Sequence, residues 1–245
     1  MLFKVTEMHL PTADEVVQKI KNYTDGYAGV VPFDKQADGL LLMNFTESNL
    51  ALSPLVLGNT TQFSEYVSGL LFRAHARYGI GGYNEHRGIY QRSAVFDGEA
   101  TSEPRRLHLG VDIWGPANVP VFAPLPATVH SVGYNGAYGD YGATLILQHE
   151  LEGMTFYTLY GHLSRSSMED KKPGAPVDKG AWIAYFGQPA ENGNWPPHLH
   201  FQVIIDMEGK VGDYPGVCAL SEKEHFLSNC PDADLILNLV QYAQP

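Results

Sequence analysis

Proline and glycine separate six short runs of β-branched and aromatic residues between about Arg105 and Ile205. The runs cover residues 119–122, 128–132, 143–148, 155–160, 182–186 and 199–205. Short strands with frequent turn signals are typical of an antiparallel sheet, whereas a βαβ array would alternate strands with helical patterns. The sequence therefore predicts an α+β fold with an antiparallel β-sheet or sandwich as its core.

Helical patterns flank this β region on both sides. Residues 1–100 are predicted to form a mostly helical N-terminal region, with one helix over residues 11–26 and another over residues 60–78. Gly79, Gly81 and Gly82 are expected to break the second helix. The β domain is assigned to residues 101–217. Residues 218–245 are assigned to a C-terminal helical extension, in which Ser221 and Glu224 suggest a capping box.

Composition excludes several classes of function. The 245 residues carry a formal net charge of −11, which argues against nucleic acid, because nucleic-acid binders present a basic face. No run is long enough to cross a membrane, and residues 1–7 lack the apolar core of an export signal. The two cysteines do not form a disulfide framework. We therefore expect a cytoplasmic protein that binds no membrane, and the oligomeric state stays open.

Five polar residues from distant parts of the β region indicate a metal site. They are His108, Asp112, His162, His198 and His200. A few neutral imidazoles and one carboxylate are typical ligands of a divalent metal. Three protein ligands with a fourth position left to water are the pattern of catalytic zinc, whereas structural zinc has four protein ligands. The sequence thus favours a metal-dependent hydrolase.

The spacing of these residues sets two geometric expectations. His198 and His200 lie two apart on a predicted strand, so both side chains should point to one face while Leu199 enters the core. His108 and Asp112 would lie roughly 13 Å apart on a fully extended strand, too far to share a metal. A bend at Gly110 is therefore expected, which would bring the two side chains together.

The motifs H-x-x-x-D, Y-G-H-L and H-L-H-F, in this order, resemble those of the lysostaphin-type zinc metallopeptidases. The resemblance covers roughly residues 104–216 and includes the segments 119–124 and 177–180. It implies that His108, Asp112 and His200 bind zinc, and that His162 and His198 are catalytic. Which of these two histidines is the general base stays open.

A narrower resemblance concerns the segments 81–90, 195–202 and 212–216. They look closest to the peptidase-like middle segment of proteins that fuse a phosphotransferase, a peptidase and an aminotransferase. Such a context implies a small amide or peptide-like substrate, whereas many lysostaphin-type enzymes cut cell-wall peptides.

The predicted function is a zinc-dependent hydrolase that cleaves an amide or peptide bond with a metal-activated water. Its substrate is either a small peptide-like or amide metabolite or a cell-wall peptide. The alternative is a catalytically inactive, peptidase-like binding or regulatory module. A cupin-like enzyme is disfavoured, because no glutamate follows the histidine pair within residues 201–206.

Several other side chains have two interpretations. Four arginines could clamp a substrate carboxylate or be surface charges, and their spacing selects none: Arg87, Arg92, Arg105 and Arg106. Three tyrosines of one glycine-rich connection could form a wall over the site or pack on their own strands: Tyr134, Tyr138 and Tyr141. Trp195 could shape the rim of the site or anchor the core.

Overall fold

The computed structural model describes residues 12–23, 25–98 and 102–245. The N-terminal residues 1–7 and Pro11, which entered the predictions above, lie outside the described residues. The helices are α1 Ala13–Asn22, α2 Pro54–Gly58, α3 Thr60–Arg73, α4 Lys223–Asn229 and α5 Asp234–Leu237. The strands are β1 Gly39–Leu42, β2 Ala76–Gly81, β3 Leu107–His108, β4 Val111–Trp114, β5 Pro120–Phe122, β6 Ala127–Asn135, β7 Gly142–Leu151, β8 Met154–Leu163, β9 Pro176–Val177, β10 Trp182–Tyr185, β11 His198–Ile204 and β12 Val217–Cys218.

Eight strands form the main sheet, in the order β1-β2-β4-β11-β8-β7-β6-β9. All neighbours pair antiparallel except β1 and β2, which pair parallel. Two further antiparallel pairs, β5 with β10 and β3 with β12, complete the β structure. The predicted α+β fold with an antiparallel core is confirmed.

The N-terminal region supplies two strands that the sequence pattern did not predict. The helix expected over residues 60–78 ends at Arg73, and β2 follows it. Gly79 and Gly81 were expected to break a helix, and that prediction is wrong because both lie within β2. A side chain at Gly79 would meet the Met43 side chain at 2.7 Å, and one at Gly81 would meet the Met43 carbonyl at 3.0 Å. Glycine in a strand often marks such a close approach.

Local signals explain the ends of the helices. Thr12 caps α1 in a reciprocal capping box with Glu15, and Val16 and Ile20 of this helix enter the core. At the other end of the chain, α4 has Glu222 at its N-cap with no side-chain hydrogen bond. The capping box predicted for Ser221 is therefore wrong, because a 3-10 turn over Leu220–Glu222 places this serine before the α-helix begins.

Strand β11 lies near the centre of the main sheet and is buried along its whole length. Leu199, Phe201 and Val203 face the largest hydrophobic cluster, while His198, His200 and Gln202 alternate with them on the opposite face. The sheet therefore presents a row of polar side chains from a rigid, fully paired strand. In the described part of the chain, no helix is long and apolar enough to cross a bilayer.

Candidate metal centre

Two neighbouring strands bring the predicted residues to one place. The chain bends at Gly110, between β3 and β4, as the sequence predicted. Strand β4 then pairs with β11 in a register that sets Asp112 opposite His200. At Gly110 an added Cβ would lie 2.7 Å from the His200 ring, so this bend needs a residue without a side chain. His108, Asp112 and His200 consequently converge, each at most 3% exposed.

The three side chains offer one donor atom each, and these atoms form a compact triangle. Nε2 of His108 lies 2.9 Å from Nδ1 of His200 and 3.3 Å from Oδ1 of Asp112, and Nδ1 of His200 lies 3.1 Å from the same oxygen. Around a tetrahedral zinc with ligand bonds of about 2.0–2.1 Å, neighbouring ligands lie about 3.3 Å apart. The triangle is therefore the right size for zinc.

Hydrogen bonds on the outer side of each ring select which nitrogen faces the triangle. His108 donates from Nδ1 to the carbonyl of Gly82 at 3.0 Å, which leaves Nε2 without a proton in the neutral ring. His200 donates from Nε2 to Oε1 of Gln202 at 2.8 Å, which leaves Nδ1 free. The amide nitrogen of Gln202 donates to the Pro215 carbonyl, so Oε1 is the acceptor. Two lone pairs thus face each other, and a cation between them would relieve their repulsion.

A buried arginine holds the carboxylate of this group. Nη1 of Arg87 donates to Oδ2 of Asp112 at 2.5 Å, and Nε donates to Glu85 at 2.6 Å. Burial by itself would raise the pKa of Asp112, but the facing His108 and the Arg87 guanidinium hold it well below its usual range. The carboxylate therefore stays ionised, with Oδ1 turned toward the histidines.

His162 and His198 form a second pair beside the triangle, with ring centroids 4.1 Å apart. His162 donates from Nδ1 to the carbonyl of Asn192, and His198 donates to that of Pro196, both at 2.8 Å. Nε2 of each ring is therefore free to accept a proton. Burial lowers the pKa of His198 to about 4, and burial with the adjacent His198 lowers that of His162 well below its usual value. Both rings are neutral bases at physiological pH.

A backbone angle orients the ring of His162, and a stacking contact orients that of His198. His162 lies within β8, where the sequence pattern had placed it just beyond the strand, and it has a φ of 60°. A left-handed conformation at a residue other than glycine is strained and clusters at functional sites. His198 stacks on Trp114 with the rings 3.9 Å apart and 11° from parallel. All five residues singled out in the sequence are thus brought together.

The structure also selects among the residues that the sequence left open. Arg87 is fully buried and pairs with Asp112, so it is not a surface charge. Tyr141 is buried and lines a cavity over the histidines, whereas Tyr134 and Tyr138 remain exposed. Trp195 does both things considered for it, since it lines this cavity and packs in the second hydrophobic cluster.

Comparison with known proteins shows what the segment around this site is similar to. Residues 106–211 match the sequence model of peptidase family M23. A Haemophilus influenzae protein described as an uncharacterized metalloprotease is 37% identical over 138 residues, which are 54% of this chain and 27% of that protein. The chain therefore spans about a quarter of the length of this curated relative.

Solved structures show similar matches. A zinc-containing peptidase from Vibrio cholerae is 30% identical, with a TM-score of 0.32, over 40% of this chain and 27% of that one. The catalytic domain of lysostaphin from Staphylococcus simulans is 20% identical, with a TM-score of 0.39, over 67% of this chain and 98% of that one.

The matched segment contains all five site residues. This segment of the chain, residues 106–211, is similar to peptidase family M23. The predicted resemblance is confirmed, and the narrower likeness to the middle segment of fused proteins stays a prediction.

Proposed function

We propose that this protein is a zinc-dependent hydrolase of amide or peptide bonds, in which His108, Asp112 and His200 bind the metal. One observation carries the proposal: three buried donor atoms lie within 3.3 Å of one another. The outer polar atoms of all three side chains are bonded elsewhere, to Gly82, Arg87 and Gln202. Buried lone pairs with no donor between them are unfavourable without a cation.

A bound zinc ion would acidify a water molecule and polarise the carbonyl of the substrate. Two histidine rings of the protein would serve as the proton acceptors. Nε2 of His162 and of His198 can accept the proton that an attacking water gives up, and the protonated ring can return it to the leaving amine. The second ring can donate a hydrogen bond to the developing oxyanion once it is protonated. The division of these roles between the two rings stays open.

The proposal includes a peptide or a small amide as the substrate. Hydrolysis of an amide needs both a proton acceptor for water and a proton donor for the departing nitrogen, and a pair of neutral imidazoles provides both. The family match supports peptide-bond chemistry, because the members compared above are described as peptidases or metalloproteases.

Metal content of the purified protein tests the first part of the proposal. We expect one zinc per chain by elemental analysis, and His108→Ala or His200→Ala should abolish it. His225→Ala is the matched control, because this histidine is exposed and pairs with Glu208 away from the site. Full activity of a metal-free His200→Ala protein would contradict the proposal.

Turnover tests the second part. The zinc-loaded protein should hydrolyse at least one member of a panel that contains purified peptidoglycan, short peptides and small amides. His162→Ala should keep the zinc, since His162 is not one of the three residues proposed to bind it. The variant should lose turnover, because it lacks the free Nε2 that can accept a proton. Stoichiometric zinc with no hydrolysis across the panel would instead favour the inactive binding module.

A further inference from the structure

We infer that residues 88–96 restrict access to the cavity over the histidines, so that the protein acts on short substrates or chain ends and not on the interior of an extended polymer. The inference rests on the proposed function and narrows its substrate class. Residues 88–96, called the strap below, consist of two 3-10 turns, Gly88–Arg92 and Ala94–Phe96.

The strap is hydrogen-bonded to residues on the other side of the cavity. Arg92 donates to the hydroxyl of Tyr138 at 2.7 Å and to the carbonyl of Asn194 at 3.0 Å, and its guanidinium lies 4.5 Å from the Trp195 ring centroid. Ser93 donates to the Tyr138 carbonyl. A Cβ added at Gly139 would lie 2.5 Å from that of Ser93, so the two segments are in direct contact. The strap is therefore latched to the glycine-rich connection between β6 and β7.

The side chains beneath the strap are shielded from solvent. Tyr90 and Phe96 of the strap pack edge to face or tilted against Trp195, with ring centroids 6.1 and 6.4 Å away. His162 and His198 are only 6% and 2% exposed. A groove open at both ends would leave such side chains accessible along its floor. Tyr90 and Phe96 of the strap line the same cavity as these histidines, so the strap narrows the approach to them.

The space between the strap and the histidines is small. The cavity that reaches the histidines has a volume of about 130 Å³. An apolar protein cavity of about 150 Å³ holds one benzene molecule. An extended peptide advances about 3.3 Å per residue, so six residues need roughly 20 Å of open groove. The cavity accommodates a group of side-chain size, which corresponds to the end of a chain.

Binding of phosphinic peptides tests the inference without turnover. We would compare, by calorimetry on the zinc-loaded full chain, a phosphinic pseudodipeptide with an end-capped phosphinic pseudo-octapeptide that extends on both sides. The short probe should bind at least about tenfold more tightly. Arg92→Ala should reduce this preference by unlatching the strap, and Tyr138→Phe should do so to a smaller extent. Arg77→Ala is the control, because Arg77 pairs with Asp38 outside the cavity.

A second measurement does not need the metal. Of the three tryptophans, Trp114 and Trp195 line the cavity, while Trp182 is 43% exposed. In a Trp182→Phe background, acrylamide should quench the remaining fluorescence weakly, and Arg92→Ala should raise the quenching constant. Easy quenching in the Trp182→Phe protein, or equal binding of the two phosphinic probes, would overturn the inference. A protein that binds no zinc but shows weak quenching would contradict the proposed function, while it would still support restricted access to the cavity.

Discussion

Replacement of Gln202 by leucine tests how the protein orients its candidate metal ligands. The Gln202 side chain is fully buried, and its Oε1 accepts a hydrogen bond from Nε2 of His200 at 2.8 Å. Leucine has a similar volume but cannot accept a hydrogen bond. His200 would then lose the partner that keeps Nδ1 free for the metal.

The expected loss can be estimated from the nature of this contact. Removing the hydrogen-bond partner of a metal-binding histidine typically lowers metal affinity about 10–100-fold, or about 1.4–2.7 kcal/mol. Folding suffers separately, because Gln202 also donates to the Pro215 carbonyl. An unsatisfied buried polar group costs about 1–3 kcal/mol. Both effects should be measured on the same sample.

Zinc competition against a chromophoric chelator at neutral pH gives the affinity, and urea unfolding of the zinc-free protein gives the stability. Thr158→Val is the matched control. Thr158 is fully buried on β8, opposite Val203 of β11, and its hydroxyl contacts His149 and Tyr160 and none of the three candidate ligands. A folded Gln202→Leu protein that binds zinc within twofold of the wild type would refute the reasoning about His200.

Three further substitutions probe the packing and charge around the site. Gly110→Ala should lower the zinc affinity, and it should lower the free energy of unfolding by about 1–3 kcal/mol, because the added Cβ would displace the His200 ring. Gly58→Ala is the control, since nothing lies within 4 Å of a Cβ there, and it should change neither quantity in zinc titrations and urea unfolding. Arg87→Met should lower the free energy of unfolding by about 3–5 kcal/mol in urea, since it leaves the buried carboxylate of Asp112 without its cationic partner. A urea unfolding curve identical to that of the wild type would contradict this. Burial lowers the pKa of His149 from 6.5 to about 4, so the unfolded chain binds the extra proton and stability falls as the pH drops from 6.5 toward 4, by up to about 3 kcal/mol. In zinc-free protein, the urea midpoint of His149→Gln should fall less with decreasing pH than that of the wild type. An equal fall in the two proteins would contradict the role given to His149.

Sequence reasoning located the candidate site because its signals are local. The alternation of His198 and His200 on one strand follows from strand geometry, and the bend at Gly110 follows from the distance that His108 and Asp112 would otherwise span. These expectations needed no knowledge of distant contacts.

The role of Arg87 could not be predicted in the same way. It reaches Asp112 from 25 positions earlier in the chain, through a tertiary contact that leaves no periodic pattern. Strand β2 was missed for a related reason. Its glycines resemble a helix terminator in sequence, and only the approach of Met43 shows that they make room for the side chain and backbone of that residue. Tertiary packing overrode local preference at both places.

The pairing of β2 with β4 has a practical consequence for anyone who isolates the family-matched segment by its motifs alone. Gly81 pairs with Asp112 itself, so removing the first hundred residues strips the hydrogen-bonding partner from the strand that carries this carboxylate. A bare sheet edge is a template for strands of other molecules. A fragment that starts at residue 101 would therefore tend to aggregate through the very strand on which metal binding would depend.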